Sequence, residues 1–246
     1  MSDALSRYSR REFQQLALAA FAPSTRHRTL AGVRFEVIRN GRSKTRAYLL
    51  IHGNEQTARE VLREHMKAHR GTAHLVEQDT RMVPVGNGGK LDPNRLFSRA
   101  GAERNLKRFN SGWSDGAIAR ELHRLDRERG KLIAALLPPR GGLLVTLHNN
   151  SEGYSVKDEI EISNATSIRK PDEPHEFFLA TAKADFEALA KSPYNVVLQS
   201  EAAGEDDGSL SRLMAARGVR YVNLEVELGK RAMQHEMLNW LEANVP

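Results

Sequence analysis

Apolar residues bunch into two runs that each lead into a histidine. Ala47-Tyr48-Leu49-Leu50-Ile51 precedes His52, and Leu143-Leu144-Val145-Thr146-Leu147 precedes His148. Runs of this length read as buried strands, the second ending in its histidine. Residues 33–38 and 221–228 alternate and read as strands with two unlike faces. Residues 57–69 turn to helical spacing, with Ala58, Val61, Leu62 and Met66 on one side and a stop near Arg70-Gly71. Helices are also expected over 103–109, 115–137 with Ser114 as N-cap, 177–191, 209–217 and 230–243. Short strands are expected over 74–77, 159–162 and 195–199. Asn40-Gly41 reads as a hairpin turn from strand 33–38 into strand 47–51. Residues 84–102, rich in Gly and Pro, read as a loop of the kind that carries function, and 200–208 as an acidic loop. Strands and helices alternate throughout. That predicts an α/β fold with a mostly parallel sheet and helices on both faces. A single domain over 29–246 follows an N-terminal helix and basic linker over 1–28.

The N-terminal stretch has two readings. Phe13, Leu16, Ala17, Ala20 and Phe21 share one face of an amphipathic helix. Ser9-Arg10-Arg11-Glu12-Phe13 resembles a twin-arginine export signal, with Leu16 to Ala22 as its apolar core and Ala20-Phe21-Ala22 as a cleavage site. The core is short and Gln14-Gln15 interrupt the pattern. A plain helix and a cytoplasmic location are therefore expected, with periplasmic export through Arg10 and Arg11 as the alternative.

Composition narrows the chemistry. The 246 residues are 40% hydrophobic, with a mean hydropathy of −0.54 and no apolar stretch of membrane-span length. There is no Cys. Disulfides, thiolate metal sites and a Cys nucleophile are excluded, so any metal must use His, Asp or Glu. The net charge of +6 favours an acidic substrate or partner. No recognised nucleic-acid module accompanies it, so a nucleic-acid partner is not expected.

Candidate chemistry starts at His52 and Glu55. They flank a Gly-Asn turn at the carboxyl end of a strand, the edge where open α/β sheets bind ligands. His148 follows a second such strand. Two His and one carboxylate leave a fourth position open, the arrangement of a catalytic zinc, provided the imidazoles lie within about 5 Å and face one another. Between them stands Leu91-Asp92-Pro93-Asn94-Arg95-Leu96-Phe97. Arg95, with Asn94, can grip a carboxylate; otherwise this is a turn with a surface Arg. In Tyr221-Val222-Asn223-Leu224-Glu225-Val226-Glu227 the acidic residues share one face. A carboxylate there can serve as general base; otherwise this is a solvent-facing edge strand. His65 and His69 lie one helical turn apart without the Glu a metalloprotease helix needs. Gly86-Asn87-Gly88-Gly89-Lys90 lacks the first Gly and the final Ser or Thr of a phosphate loop.

In that order, His52-x-x-Glu55, Asn94-Arg95, a strand-end His148 and a Glu in Asn-Leu-Glu-Val resemble the zinc carboxypeptidase superfamily. That grouping includes metallocarboxypeptidases, murein-peptide amidases, and deacylases of the succinylglutamate desuccinylase and aspartoacylase type. The resemblance implies a three-layer αβα sandwich with a mixed, mostly parallel sheet. It implies zinc (Zn2+) on His52, Glu55 and His148, Glu225 as general base, and Asn94 and Arg95 on the substrate carboxylate. The activity implied is amide or peptide hydrolysis of a small peptide, such as a cell-wall stem peptide. Alternatives are deacylation of an N-acyl amino acid, or a non-catalytic protein that binds cell wall or another polyanion. The chain departs from the pattern where the long enzymes carry a mobile Tyr; Tyr154 and Tyr194 are the stand-ins. Arg81, Arg99, Arg104 and Arg169 compete for the role of a second Arg, and Glu227 competes with Glu225.

Overall fold

A computed structural model describes residues 23–43, 45–151, 153–201 and 204–246. The expected N-terminal helix and export signal fall on residues 1–22, outside the described residues. In chain order the elements are β1 (Ser24–Leu30), β2 (Val33–Asn40), β3 (Arg46–Leu50), α1 (Gln56–Ala68), β4 (Gly71–Val76), β5 (Val83–Val85), β6 (Gly89–Leu91), α2 (Arg99–Phe109), α3 (Asp115–Leu136), β7 (Leu143–Asn150), α4 (Val156–Ile160), β8 (Ala165–Ser167), β9 (Phe177–Ala180), α5 (Lys183–Leu189), β10 (Asn195–Leu198), α6 (Leu210–Ala216), β11 (Arg220–Glu227) and α7 (Arg231–Asn244). Short 3-10 turns at Gly86–Gly88 and Pro93–Arg95 flank β6.

Nine strands form one sheet in the order β1-β2-β4-β3-β7-β11-β9-β10-β8, with β5 and β6 as a separate hairpin. The middle block β4-β3-β7-β11 is parallel throughout. Both flanks carry antiparallel pairs. Strand alternation sorts the apolar side chains to two faces. Leu49, Ile51 and Leu144 pack with α2, α3 and α6 on one face. Leu50, Val145, Leu147, Val222, Leu224 and Val226 pack with α1, α5 and α7 on the other. The architecture is therefore a three-layer αβα sandwich around a mixed sheet, parallel in its middle. On the α2/α3 face, the carboxyl halves of β7 and β11 carry Thr146, His148, Asn223 and Glu225 in place of apolar residues. Among the described residues no helix is long and apolar enough to cross a membrane.

The structure corrects several expectations. Part of the expected linker at 23–28 is strand β1, whose hairpin to β2 turns at Ala31-Gly32, both at positive φ (51° and 82°). Asn40-Gly41 does not pair β2 with β3. The α1 crossover lays β4 parallel against one edge of β3, and β7 takes the other, so β2 pairs with the far edge of β4. α1 stops at Ala68, and Gly71 opens β4 instead of capping the helix. A Cβ there would meet the Tyr48 ring at 3.1 Å. Residues 159–162 are not a strand: a capping box of Ser155 and Asp158 starts α4 and overrides the local alternation. The span 177–191 opens as strand β9, because Phe177-Phe178-Leu179-Ala180 is buried on both faces. Strand β7 runs two residues past His148 to Asn150.

Candidate metal centre

His52 sits just beyond the end of β3. Gly53 follows, where a Cβ would lie 1.6 Å from the Gln78 carbonyl oxygen, so only glycine lets the backbone pass. The turn brings Glu55 to the N-cap position of α1. N-cap side chains ordinarily accept a hydrogen bond from the first turn. Glu55 makes no such bond. Its carboxylate turns to the histidines instead.

His52 Nδ1 lies 2.9 Å from Glu55 Oε1 and 3.3 Å from His148 Nδ1. The ring centroids are 5.1 Å apart at 65°, with the two Nδ1 atoms facing each other. His148 Nδ1 lies 3.3 Å from Glu55 Oε1 and 3.2 Å from Oε2. One ligand atom from each of the three residues falls within 4.8 Å of the others. All three residues are buried, and Glu55 Oε2 has no hydrogen-bond partner. His52 Nε2 is 2.9 Å from Asp92 Oδ1. Asp92 can only accept, so Nε2 carries a proton, and Nδ1 is the ring atom turned to Glu55 and His148, where a bound cation would take the place of a second proton. This is the carboxylate-oriented histidine of metal sites.

The electrostatics show how strongly this point attracts positive charge. Burial pulls the His52 pKa down, but Glu55 and Asp92 outweigh it and raise the pKa to about 9. Burial pushes the Glu55 carboxyl up, but His148 and His52 outweigh it and bring it to about 2. Burial likewise opposes ionisation of Asp92, yet His52 and Arg81 hold it well below the carboxylate range. The pocket thus draws positive charge to a buried point where two ring nitrogens and an orphaned carboxylate oxygen converge. A divalent cation fits that donor set, and N/O donors without thiolate suit zinc.

Glu225 lies across the parallel ladder from His148. It is buried, and its Oε1 accepts from Asn223 Nδ2 at 3.0 Å. Burial raises its pKa, with Glu55 adding to the rise and His148 opposing it. Glu227, at the strand end, is 42% exposed and pairs with Lys230 at 2.8 Å. Of these two, Glu225 lines the cavity and Glu227 does not.

That cavity holds about 640 Å³. Asn94 and Arg95 line it from the 3-10 turn after Asp92. Asn94 Oδ1 accepts from the Leu210 amide at 3.1 Å. Arg95 lies 3.5 Å from Asp207, and Arg212 lies 3.4 Å from the same carboxylate. Of the four competing arginines, Arg81 lines the cavity, with Nε 3.2 Å from Asp92 and Nη1 3.8 Å from Glu55. Arg99 pairs with Asp126, Arg104 with Glu205, and Arg169 with the Ala190 carbonyl, all outside it. Tyr154 lines the cavity and donates to Glu159 Oε1 at 2.5 Å, while Gln199 donates to the other oxygen. Tyr194 packs against Phe178 elsewhere. Asp92 and Arg212 are site residues that the sequence alone does not mark. The tertiary bond to His52 and the position on α6 carry no local signature.

No family model and no curated protein matches the sequence. Solved structures give weak likenesses. Murein-tripeptide amidase MpaA from Escherichia coli O157 is 16% identical over 96% of this chain and 95% of that one, with a TM-score of 0.47. Succinylglutamate desuccinylase from Chromobacterium violaceum is 16% identical over 95% and 78%, with a TM-score of 0.45. Succinylglutamate desuccinylase/aspartoacylase from Rhodobacter sphaeroides is 15% identical over 89%, with a TM-score of 0.44, and the chain spans 64% of its length. The metal centre stands on its own geometry.

Proposed function

We propose that the chain is a zinc-dependent hydrolase that cleaves an amide or peptide bond in a small carboxylate-bearing substrate. One observation carries this reading: His52, Glu55 and His148, spread over 97 positions of sequence, converge within 4.8 Å at the wall of a cavity that Glu225 also lines. His52 Nδ1, His148 Nδ1 and the Glu55 carboxylate would hold zinc. Bound there, zinc supplies Lewis acidity that polarises a carbonyl and acidifies water. Glu225 takes the proton from the attacking water on its carboxylate and passes it to the leaving nitrogen as the C–N bond breaks. Its raised pKa suits a group that must both accept and return a proton. Asp92 keeps His52 in one tautomer and orientation.

Two walls of the cavity differ in charge. On one, the guanidinium groups of Arg95 and Arg212 share the single Asp207 carboxylate, leaving positive charge for a substrate carboxylate. The Asn94 amide nitrogen makes no hydrogen bond among the described residues and is a second donor. Glu159 lies elsewhere on the lining, with no Lys, Arg or His among the described residues within 4.0 Å. That favours a small peptide bearing an amino group over a wholly anionic N-acyl amino acid.

Zinc content and hydrolysis test this together. Wild type should hold about one zinc per chain, and His52→Ala should lose it. Chelation should abolish cleavage in a panel of stem peptides and N-acyl amino acids, and added zinc should restore it. Ligand binding that survives chelation, with no cleavage by zinc-loaded protein, would instead identify a non-catalytic binding protein.

A further inference from the structure

We propose that Asn149, the residue after His148, is a positioning residue of the metal centre: its side-chain amide fastens together the elements that carry Glu55, His148 and Glu225. The need for it starts at Glu55. A helix leaves its first amide N–H groups without partners inside the helix, and the N-cap side chain ordinarily accepts from one of them. Glu55 occupies the N-cap of α1 but spends its carboxylate on the histidines. The neglected donor is met from another element. Asn149 Oδ1 accepts from the Ala58 amide, in the first turn of α1, at 2.8 Å.

The other half of the same amide reaches two more elements. Asn149 Nδ2 donates to the carbonyl of Val226, the residue after Glu225, at 3.3 Å. It also donates to Gln234 Oε1 on α7 at 3.0 Å. Gln234, fully buried, returns a bond from Nε2 to the His148 carbonyl at 3.0 Å. A closed set of bonds thus links the start of α1 to β7, β11 and α7: Asn149 follows His148, Val226 follows Glu225, Ala58 lies one turn after Glu55, and Gln234 holds the His148 carbonyl itself. Without the Asn149 acceptor, the Ala58 N–H would compete for the Glu55 carboxylate, as it does at an ordinary N-cap. Glu55 would then be drawn from the rings toward its own helix.

This role presupposes the zinc site proposed above, and the test separates the two. Zinc Kd is measured by competition with a chromophoric chelator on the full chain. The samples are wild type, Asn149→Ala, Asn149→Asp, and Val196→Ala as a control that removes core volume from β10 without touching the site. Asn149→Ala should weaken zinc about 10–100-fold, the range for partners behind metal ligands. Asn149→Asp keeps the acceptor for the Ala58 N–H but turns a second acceptor on the Val226 carbonyl and Gln234 Oε1, and should recover only part of that loss. Val196→Ala should lower the melting temperature and leave the Kd unchanged. If Asn149→Ala does not fold, Gln234→Leu, which cuts the bonds to Asn149 and His148, should still weaken zinc about tenfold. A wild-type Kd in Asn149→Ala, or in Gln234→Leu where that variant decides, overturns the positioning role while leaving the zinc site intact. An equal loss in Val196→Ala overturns it too, since the effect would then follow stability alone. A wild type that binds no zinc overturns both.

Discussion

The two ends of the central strands both gather buried charge, and they treat it in opposite ways. At the amino ends, Arg46 opens β3 and bonds Glu242 at 3.4 Å along with the carbonyls of Val245 and Pro246. Tyr48 donates to the same Glu242 at 2.9 Å. Arg220 opens β11 and donates to Asp185 from Nε and Nη2, at 3.0 and 2.6 Å. Each charged group there faces its opposite, and the cluster closes on itself. At the carboxyl ends, two imidazole nitrogens face each other, a carboxylate oxygen has no hydrogen-bond partner, and a second carboxylate is pushed toward its neutral form. The amino-end groups are less deeply buried, with Arg220 27% and Glu242 15% exposed against 6% or less for His52, Glu55 and His148, and the two ends differ in closure as well. A closed polar cluster joins α7 and α5 to the sheet, whereas an open one is completed by something from outside.

The largest expected effects test that contrast directly. Glu225→Gln should lower hydrolysis by about 10²–10⁴-fold, the usual contribution of a positioned proton carrier. Zinc should be retained and the melting temperature unchanged or higher, because the ionised carboxylate is already disfavoured where it sits. Full activity in this variant would remove Glu225 from the mechanism. At the closed end, Arg46→Met strands Glu242 without its cation, and should cost about 3–5 kcal/mol of unfolding free energy. Zinc Kd should not move. Denaturant melts and zinc titration on both variants would cross the two effects if the ends were not independent.

A third buried group lies apart from both ends. His74, in β4, has no hydrogen-bond partner at Nδ1, and burial with Arg28 and Arg39 nearby lowers its pKa to about 4. The folded chain keeps it neutral while the unfolded chain protonates it below about 6.5. Its contribution is therefore fully present above about pH 6.5 and lost as pH falls toward 4, by about 3 kcal/mol in all. Stability measured across that window in wild type and His74→Leu should show a flatter curve in the variant. Parallel curves would assign the acid sensitivity to other groups.

Much of this was legible in the chain because hydrophobic period maps directly onto strands and helices. β3, β7, β11, α1 and α3 emerge close to their expected bounds. Sheet order was not, because pairing depends on which edges remain free after the α1 crossover. β9 was read as helix because an uninterrupted apolar run has no period to betray it. His52, Glu55, His148 and Glu225 were legible as candidates because each stands at or near a strand's carboxyl end in a recognisable order. Asp92 and Asn149 act through bonds to residues tens of positions away, which no local pattern encodes. Glu225 and Glu227 share a face and spacing; what separates them is that β11 ends at Glu227, leaving that side chain beside Lys230 at the surface.

The smallest expected effect bears on the cavity's own two walls. Glu159 accepts from Tyr154 and Gln199, both neutral, so its charge has no cation among its bonded partners. An ammonium group on the substrate would supply one. Glu159→Gln keeps the shape and removes the charge. It should lower kcat/KM for a peptide that carries an ammonium by about tenfold, equivalent to about 1.4 kcal/mol of lost transition-state stabilisation. The uncharged isostere of that peptide should be cleaved equally by both proteins, since Arg95 and Arg212 still hold its carboxylate. If both peptides lose the same factor, Glu159 acts only as a brace for Tyr154 and Gln199. The cavity would then be polar at the arginine wall alone, and the N-acyl amino acid would become the better substrate.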